Sequence, residues 1–201
     1  MPLKMPRRLG AALAGILLAG AGLGGYAGYL QLVGNFHTVI EGQLYRSAQP
    51  TPAQLETYVR EHGIKTVINL RGEDAKANWY GPEIAAAQNL GVEHIDFKMS
   101  ASTELTPQRA EEIVAIMAAA PKPILIHCQS GSDRSGLVSA LYSNRIAGEA
   151  AETAERQLSF YYGHVGIPHL SSAYAMDKSW EALELPDGNS EHRFGGEISR
   201  Q

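Results

Sequence analysis

The sequence predicts an α/β fold of three layers, in which helices cover both faces of a small, mostly parallel central sheet. Two observations predict it. Short apolar segments bounded by turn residues alternate along the chain with longer segments that carry apolar residues at helical spacing. Strands that alternate with helices form parallel sheets, because each helix returns the chain to the edge where the next strand begins. A ligand site in such a fold lies at the carboxyl ends of the strands.

Local signals place the elements of the first half of the domain. Thr51-Pro52 is typical of a helix start, with threonine as the cap and proline in the first turn, and Gly63 ends that helix. Gly91 ends a second helix in the same way. The predicted order is a hairpin over 36–47 that turns at Glu41-Gly42, a helix over 51–63, a strand over 65–70, a helix over 79–90 and a strand over 92–97.

The second half continues the alternation. Thr106-Pro107 opens a helix with Ile113, Val114, Ile116 and Met117 on its buried face, and residues 122–127 form a short apolar strand. Three further helices are predicted near 135–147, 149–161 and 171–184. Tyr161, Tyr162 and Trp180, at helical spacing, are predicted to belong to the core.

The N-terminal segment, residues 1–33, is predicted to be a membrane anchor or a signal sequence. Residues 9–32 carry no charge and are long enough to span about 30 Å of hydrocarbon. Lys4, Arg7 and Arg8 precede this run, which predicts a cytoplasmic N-terminus and a domain outside the cytoplasm. A cleaved signal peptide with a small-residue site at 19–21 is the alternative, and the protein would then be secreted. Residues 34–185 form the predicted domain, and residues 186–201 a disordered tail.

Charge and cysteine content exclude several classes of protein. The chain has 201 residues and a net charge of −4, and without its three N-terminal basic residues the net charge is −7. Such an acidic domain is a poor binder of nucleic acid or anionic membranes. A single cysteine excludes an intramolecular disulfide, and no Cys/His cluster has the spacing of metal ligands, so no metal or other cofactor is predicted.

The only cysteine lies in a segment with the properties of an anion site. Residues 127–136 read His-Cys-Gln-Ser-Gly-Ser-Asp-Arg-Ser-Gly, between an apolar strand and a segment with helical spacing. Backbone N–H groups of such a loop point inward, and the helix N-terminus adds about half a positive charge. Arg134 offers a planar fork for two phosphate oxygens. A cysteine in this setting is favoured as a thiolate, which points to phosphoryl transfer to sulfur followed by hydrolysis.

The spacing from Cys128 through five residues to Arg134 and Ser135 resembles the signature of cysteine-dependent protein tyrosine and dual-specificity phosphatases. The segments 44–50 and 63–71 are similar to the opening of the bacterial dual-specificity-like branch. The resemblance implies a metal-independent phosphatase that passes through a phosphocysteine. Its implied site consists of the nucleophile Cys128, the phosphate-binding Arg134, Ser135 that helps the thiolate leave, His127 that favours the thiolate, and the loop residues Gln129, Ser130, Gly131, Ser132 and Asp133.

One feature of the family pattern is missing. The family usually carries an aspartate, on the loop after the fourth strand, that protonates the leaving oxygen, but residues 98–104 contain none. Asp133 is the first substitute and is predicted as the catalytic acid, unless its carboxylate only staples the loop. Glu104 and Asp96 are the other candidates. Arg46 and Arg71 either line the anion site or lie at the surface beside local carboxylates, with the surface favoured for Arg46.

The substrate is predicted to be a phosphomonoester of modest charge, such as phosphotyrosine in a protein. No lysine occurs among residues 129–133, and Asp133 adds a negative charge, which disfavours polyphosphorylated substrates. A lipid or sugar phosphatase with the same mechanism and a phosphate-binding pseudophosphatase are the alternatives. Four histidines outside the signature have no spacing that identifies a base or a ligand and are interpreted as structural or surface residues: His62, His94, His164 and His169. The sequence predicts no oligomeric state.

Overall fold

The structure is a computed structural model that describes residues 7–184, apart from the side chains of residues 7–14, 16 and 19. The predicted C-terminal tail, residues 186–201, lies outside the described residues, as does Lys4 at the other end. Within the described range, the chain forms an α/β fold around one mixed five-stranded sheet.

The strands follow the spatial order β1-β2-β5-β3-β4, and only the edge strand β1 runs antiparallel to its neighbour. The mostly parallel sheet predicted from the sequence is therefore confirmed. The strands are β1 His37–Ile40, β2 Leu44–Ser47, β3 Thr66–Asn69, β4 Glu93–Asp96 and β5 Ile124–His127. Their register places Ser47, Asn69 and Asp96 level with His127 at one edge, so the residues that follow all four parallel strands meet there.

The helices begin and end where the sequence carries cap signals. Thr51 forms a capping box with Gln54, and Gly63 ends the same helix in the left-handed conformation with φ of 66°. Thr106 caps the fourth helix in a similar way. The helices are α1 Arg7–Leu32, α2 Pro52–His62, α3 Tyr80–Asn89, α4 Pro107–Ala119, α5 Asp133–Arg145, α6 Ala151–Glu155 and α7 Tyr174–Leu183.

Two hydrophobic clusters, one on each face of the sheet, account for the three layers. Val67 and Leu125 point to one face and pack with Leu55 of α2 and Ala87 of α3. The next residue of each strand, Ile68 or Ile126, points to the other face, where the larger cluster includes members from α4, α5 and α7. Parallel strands that are buried on both faces read as continuous apolar runs, as these do.

The helix predicted over 149–161 is wrong in its extent. Helix α6 ends at Glu155, and a 3-10 turn over Phe160–Tyr162 follows. Ser159 is extended and Gly163 is left-handed, so the backbone between them does not continue a helix. As a result Tyr161 is 61% exposed, contrary to its predicted place in the core, whereas Trp180 is buried as predicted.

The predicted membrane span is not supported, because none of the helices within residues 7–184 is long and apolar enough to cross a membrane.

The C-terminal end of α1 packs against the domain. Leu30 is buried there, Tyr26 Oη donates a hydrogen bond to the carbonyl of Tyr161 at 2.6 Å, and Gln31 Nε2 donates one to the carbonyl of Ser130 at 3.2 Å.

Candidate active site

Residues 128–134, which we name the signature loop, connect the end of β5 to the start of α5. Cys128 is a free cysteine, only 1% exposed, at the level where the parallel strands end. Helix α5 begins at Asp133, so its N-terminal N–H groups lie at the end of the loop. A helix N-terminus behind a small-residue loop attracts phosphate.

Gly131 is required by the path of the signature loop. Its φ is +73°, a conformation that residues with a side chain rarely adopt. A Cβ atom at this position would also lie 2.6 Å from the backbone nitrogen of Ala48 and 2.6 Å from the carbonyl carbon of Ser47. Because both contacts are with backbone rather than with movable side chains, only glycine lets the loop pack against the end of β2.

Arg46 supports the signature loop from behind, and the surface position favoured by the sequence is wrong. The side chain is fully buried. Its Nη2 donates to the carbonyls of Gly131 and Ser132 at 2.8 and 2.9 Å, and its Nη1 donates to the carbonyl and the side-chain oxygen of Gln157. Burial lowers the pKa of Arg46 to about 10, which still leaves the guanidinium charged at neutral pH. With Asn35, which binds the carbonyl of Ser130 at 2.9 Å, Arg46 fixes three consecutive loop carbonyls.

Arg134 and Ser135 lie in the first turn of α5, at the end of the signature loop. Arg134 Nη1 makes long hydrogen bonds to the carbonyls of Leu70 and Met99, at 3.4 and 3.3 Å. Its Nε and the hydroxyl of Ser135 are buried and have no hydrogen-bond partner within the described chain. Buried polar groups are normally paired, so these two are available to a ligand or to a reacting group in the loop.

A cavity of about 390 Å³ opens over the signature loop. It brings together residues from three loops at the carboxyl edge of the sheet: Arg71, Glu73, Asp74, Trp79, Lys98, Gln129 and Arg134. The guanidinium of Arg71 lies 3.8 Å from the centre of the Trp79 ring and donates to Gln49 Oε1 at 2.9 Å. Arg71 therefore lines the same cavity as Arg134. Sequence reasoning missed Glu73, Asp74, Trp79 and Lys98, which carry no motif of their own.

The three carboxylates considered as catalytic acid are all engaged. Asp133 Oδ1 lies 2.7 Å from Nδ1 of His164, a residue outside the signature loop. Asp96 accepts hydrogen bonds from Tyr80 Oη at 2.5 Å and from Asn69 Nδ2 at 2.7 Å. Glu104 forms an exposed ion pair with Lys178 at 2.7 Å. The identity of the acid stays a prediction, and Glu73 and Asp74 join the candidates because they line the cavity.

His127 belongs to a buried polar cluster that the sequence did not reveal. Its Nε2 lies 2.9 Å from Glu83 Oε1, and His94 Nε2 lies 2.8 Å from the same oxygen. The three residues bring possible metal-ligand atoms within 4.8 Å of one another. Both histidine nitrogens, however, are at hydrogen-bond distance from one carboxylate oxygen and are already used as donors, so the contacts shown are those of a hydrogen-bonded cluster. His94, interpreted from the sequence as a structural or surface histidine, is thus a hydrogen-bonded member of this cluster.

Comparisons with known proteins identify the family. A family model described as "DSP-PTPase phosphatase fused to NAD+ Kinase" matches residues 34–168. The chain belongs to this family of dual-specificity-like, cysteine-dependent phosphatases. The matched range contains the whole signature and both opening segments, which confirms the resemblance inferred from the sequence.

Individual relatives of this phosphatase are distant. The chain is 30% identical over 129 residues to the probable NAD kinase 2 of rice, and the match covers 13% of that protein. It is 28% identical over 151 residues to the dual specificity protein phosphatase TpbA of Pseudomonas aeruginosa, and the match covers 65% of that protein. The crystal structure of TpbA has a TM-score of 0.59 at 20% identity, covering 76% of this chain and 86% of that one. PTPMT1 has a TM-score of 0.55 at 15% identity, covering 73% and 94%, and both structures show the likeness of fold.

Proposed function

We propose that this phosphatase hydrolyses phosphomonoesters through a phosphocysteine at Cys128, as a protein tyrosine or dual-specificity phosphatase. The observation that carries the proposal is the assembled signature loop. It places a buried cysteine, an arginine with a buried unpaired Nε and the N-terminus of α5 around one small-residue turn. That set of groups is suited to binding a phosphoryl group and to attacking it with sulfur.

In the first step of the proposed reaction, the thiolate of Cys128 attacks phosphorus. A P–S bond forms, the bond from phosphorus to the leaving oxygen breaks, and a carboxylic acid gives that oxygen its proton. Arg134 binds two equatorial oxygens, and the loop N–H groups bind the charge that develops on them. No step requires a metal ion, because the guanidinium and the backbone donors supply the positive field.

In the second step, water attacks phosphorus, the P–S bond breaks, and inorganic phosphate leaves. Sulfur departs as a thiolate, so a donor beside it accelerates this step. The hydroxyl of Ser135 is buried at the start of α5 without a partner in the described chain, which suits it to this role. The same carboxylate that protonated the leaving group, now ionised, takes the proton of the attacking water.

The cavity supports two classes of substrate. Trp79 offers an aromatic wall for a phosphotyrosine ring, and the related TpbA has been solved in complex with pTyr. Arg71 and Lys98, beside Arg134, favour instead a substrate with additional negative charge, and PTPMT1 has been solved in complex with PI(5)P. We favour the phosphotyrosyl protein, because Glu73 and Asp74 line the same cavity and oppose a second phosphate.

A substrate panel tests the proposal. We expect p-nitrophenyl phosphate and phosphotyrosyl peptides to be turned over without added metal and in the presence of EDTA, with kcat/KM for the peptides well above that for phosphoinositides and sugar phosphates. Cys128→Ser should abolish turnover but retain phosphate or vanadate binding, because the backbone donors remain. A preference for phosphoinositides would select the lipid phosphatase alternative. Binding of phosphate with no turnover of any substrate would select the pseudophosphatase.

A location outside the cytoplasm is also proposed. It is supported by Lys4, Arg7 and Arg8 ahead of an uncharged run, and by the absence of acidic residues before Glu41. A reporter that is active only in the cytoplasm, fused after Gln201 of the full chain, would contradict it.

A further inference from the structure

A single buried carboxylate connects the nucleophile strand to the mouth of the cavity. Glu83, in the first turn of α3, is only 1% exposed. Its Oε1 lies 2.9 Å from His127 Nε2 and 2.8 Å from His94 Nε2, and its Oε2 accepts a hydrogen bond from Gln49 Nε2. Glu83 therefore contacts β5, β4 and the segment after β2, three elements that contribute to the edge where the site lies.

The buried negative charge of Glu83 is stabilised by the partners that surround it. A buried carboxylate without partners is costly, and of its three partners only the two histidines can carry a positive charge. Burial raises the pKa of Glu83, but the hydrogen bonds and charge of His127, together with hydrogen bonds from His94 and Gln49, outweigh it and hold the pKa at about 2. The carboxylate is thus ionised at neutral pH, and its charge lies beside the ring of His127, directly before Cys128.

The second branch of the cluster leads to the cavity. Gln49 uses its amide nitrogen on Glu83, and its Oε1 accepts a hydrogen bond from Arg71 Nη1 at 2.9 Å. This contact fixes which way the Gln49 amide faces, because Glu83 and Arg71 demand opposite ends of it. Arg71 is held between Gln49 and the face of Trp79, with its charge toward the cavity.

We propose that Glu83 is a positioning residue for the phosphatase reaction, which acts on Cys128 through His127 and on the substrate through Gln49 and Arg71. The inference rests on the proposed function. The two branches have different consequences: the His127 branch governs the reactivity of the thiol, and the Gln49 branch governs the affinity for substrate.

Alkylation of Cys128 by iodoacetamide at pH 6 tests the first branch without requiring turnover. Glu83→Gln preserves the size of the side chain but removes its negative charge. It also puts an amide NH₂, which is a hydrogen-bond donor, where the carboxylate oxygen accepted hydrogen bonds. We expect the alkylation rate to fall about 10- to 100-fold, the range set by loss of a hydrogen bond to a charged group, and kcat for p-nitrophenyl phosphate to fall with it. Because alkylation needs no catalysis, this result is independent of whether the protein proves to be a phosphatase.

Gln49→Ala tests the second branch. It leaves Glu83 and His127 paired, so alkylation should stay within about twofold of wild type, while KM for phosphotyrosyl peptide rises as Arg71 loses its anchor. Glu93→Gln is the matched control, since it removes an exposed carboxylate from β4, the strand that carries His94. It should change neither the alkylation rate of Cys128 nor KM for the phosphotyrosyl peptide.

A purely structural role for Glu83 predicts a different pattern. Thermal unfolding of Glu83→Gln would then shift downward while the folded variant is alkylated at the wild-type rate, and that result would overturn the proposal. If Glu83→Gln does not fold, His127→Gln provides the second test. It retains a donor toward Glu83 but cannot carry a charge, and an alkylation rate equal to that of wild type would likewise overturn the proposal.

Discussion

At the scale of single residues, the site is built from charges that other side chains hold in place. Arg46 holds the loop carbonyls, Glu83 holds His127, and His164 holds Asp133. None of these three holding residues lines the cavity. The spacing from Cys128 to Arg134 is a local pattern and could be predicted. The partners of Arg46 and Glu83 could not, because they come from positions far along the chain and become neighbours only when the sheet forms.

Asp133→Asn tests the assignment of the catalytic acid. Because Asp133 Oδ1 is bound to His164, we expect this substitution to lower the rate by a similar factor for aryl and alkyl phosphates. A general acid is worth about 10²–10⁴-fold and matters most when the leaving oxygen is basic. We therefore expect a leaving-group-dependent loss for Asp74→Asn or Glu73→Gln, measured as kcat for phosphoserine peptides against p-nitrophenyl phosphate. A leaving-group-dependent loss at Asp133 instead would confirm the acid predicted from the sequence, and such a loss for Glu104→Gln alone would select Glu104, which forms an exposed ion pair with Lys178.

At the scale of elements, His164 joins the start of α5 to α7. Its Nδ1 lies 2.7 Å from Asp133 Oδ1, and its Nε2 lies 3.0 Å from Asp177 Oδ2. The residue as a whole is 4% exposed. Burial lowers the pKa of His164, but the hydrogen bonds and charges of Asp133 and Asp177 outweigh it, so the pKa is raised above its usual value. A protonated His164 thus pairs with a carboxylate on each side, which ties the helix behind the signature loop to the last helix of the domain.

This contact predicts a pH dependence of stability. Since the pKa of His164 is higher in the folded than in the unfolded protein, its contribution is complete below about pH 6.5 and is lost as the pH rises through the folded-state value. We expect the free energy of unfolding to fall over that interval in urea titrations, and His164→Gln to remove this dependence while costing about 1.5–3 kcal/mol at pH 6. His169→Asn, at an exposed position on the same loop, should leave the profile unchanged. If His164→Gln keeps the pH dependence of the free energy of unfolding, that dependence arises from other groups.

At the scale of the whole molecule, the elements with local signals were predicted well and the contacts between them were not. Thr51, Gly63 and Thr106 mark helix boundaries because capping depends on residues a few positions apart. The segment after Glu155 has apolar residues at helical spacing, yet it turns at Ser159 and Gly163 and exposes Tyr161. Its path follows its packing: Tyr162 lies against Arg46, and Tyr161 accepts a hydrogen bond from Tyr26 of α1.

The central claim, that phosphate passes through sulfur, is tested most directly by trapping the phosphoenzyme. Full-length protein is mixed with a ³²P-labelled phosphotyrosyl peptide, quenched within milliseconds, and digested to locate the label. We expect label on Cys128 alone, at up to about one phosphoryl group per chain, with none in Cys128→Ser and more in Ser135→Ala, because loss of that hydroxyl slows departure of the thiolate. Turnover without label on Cys128, or label that persists in Cys128→Ser, would contradict the mechanism.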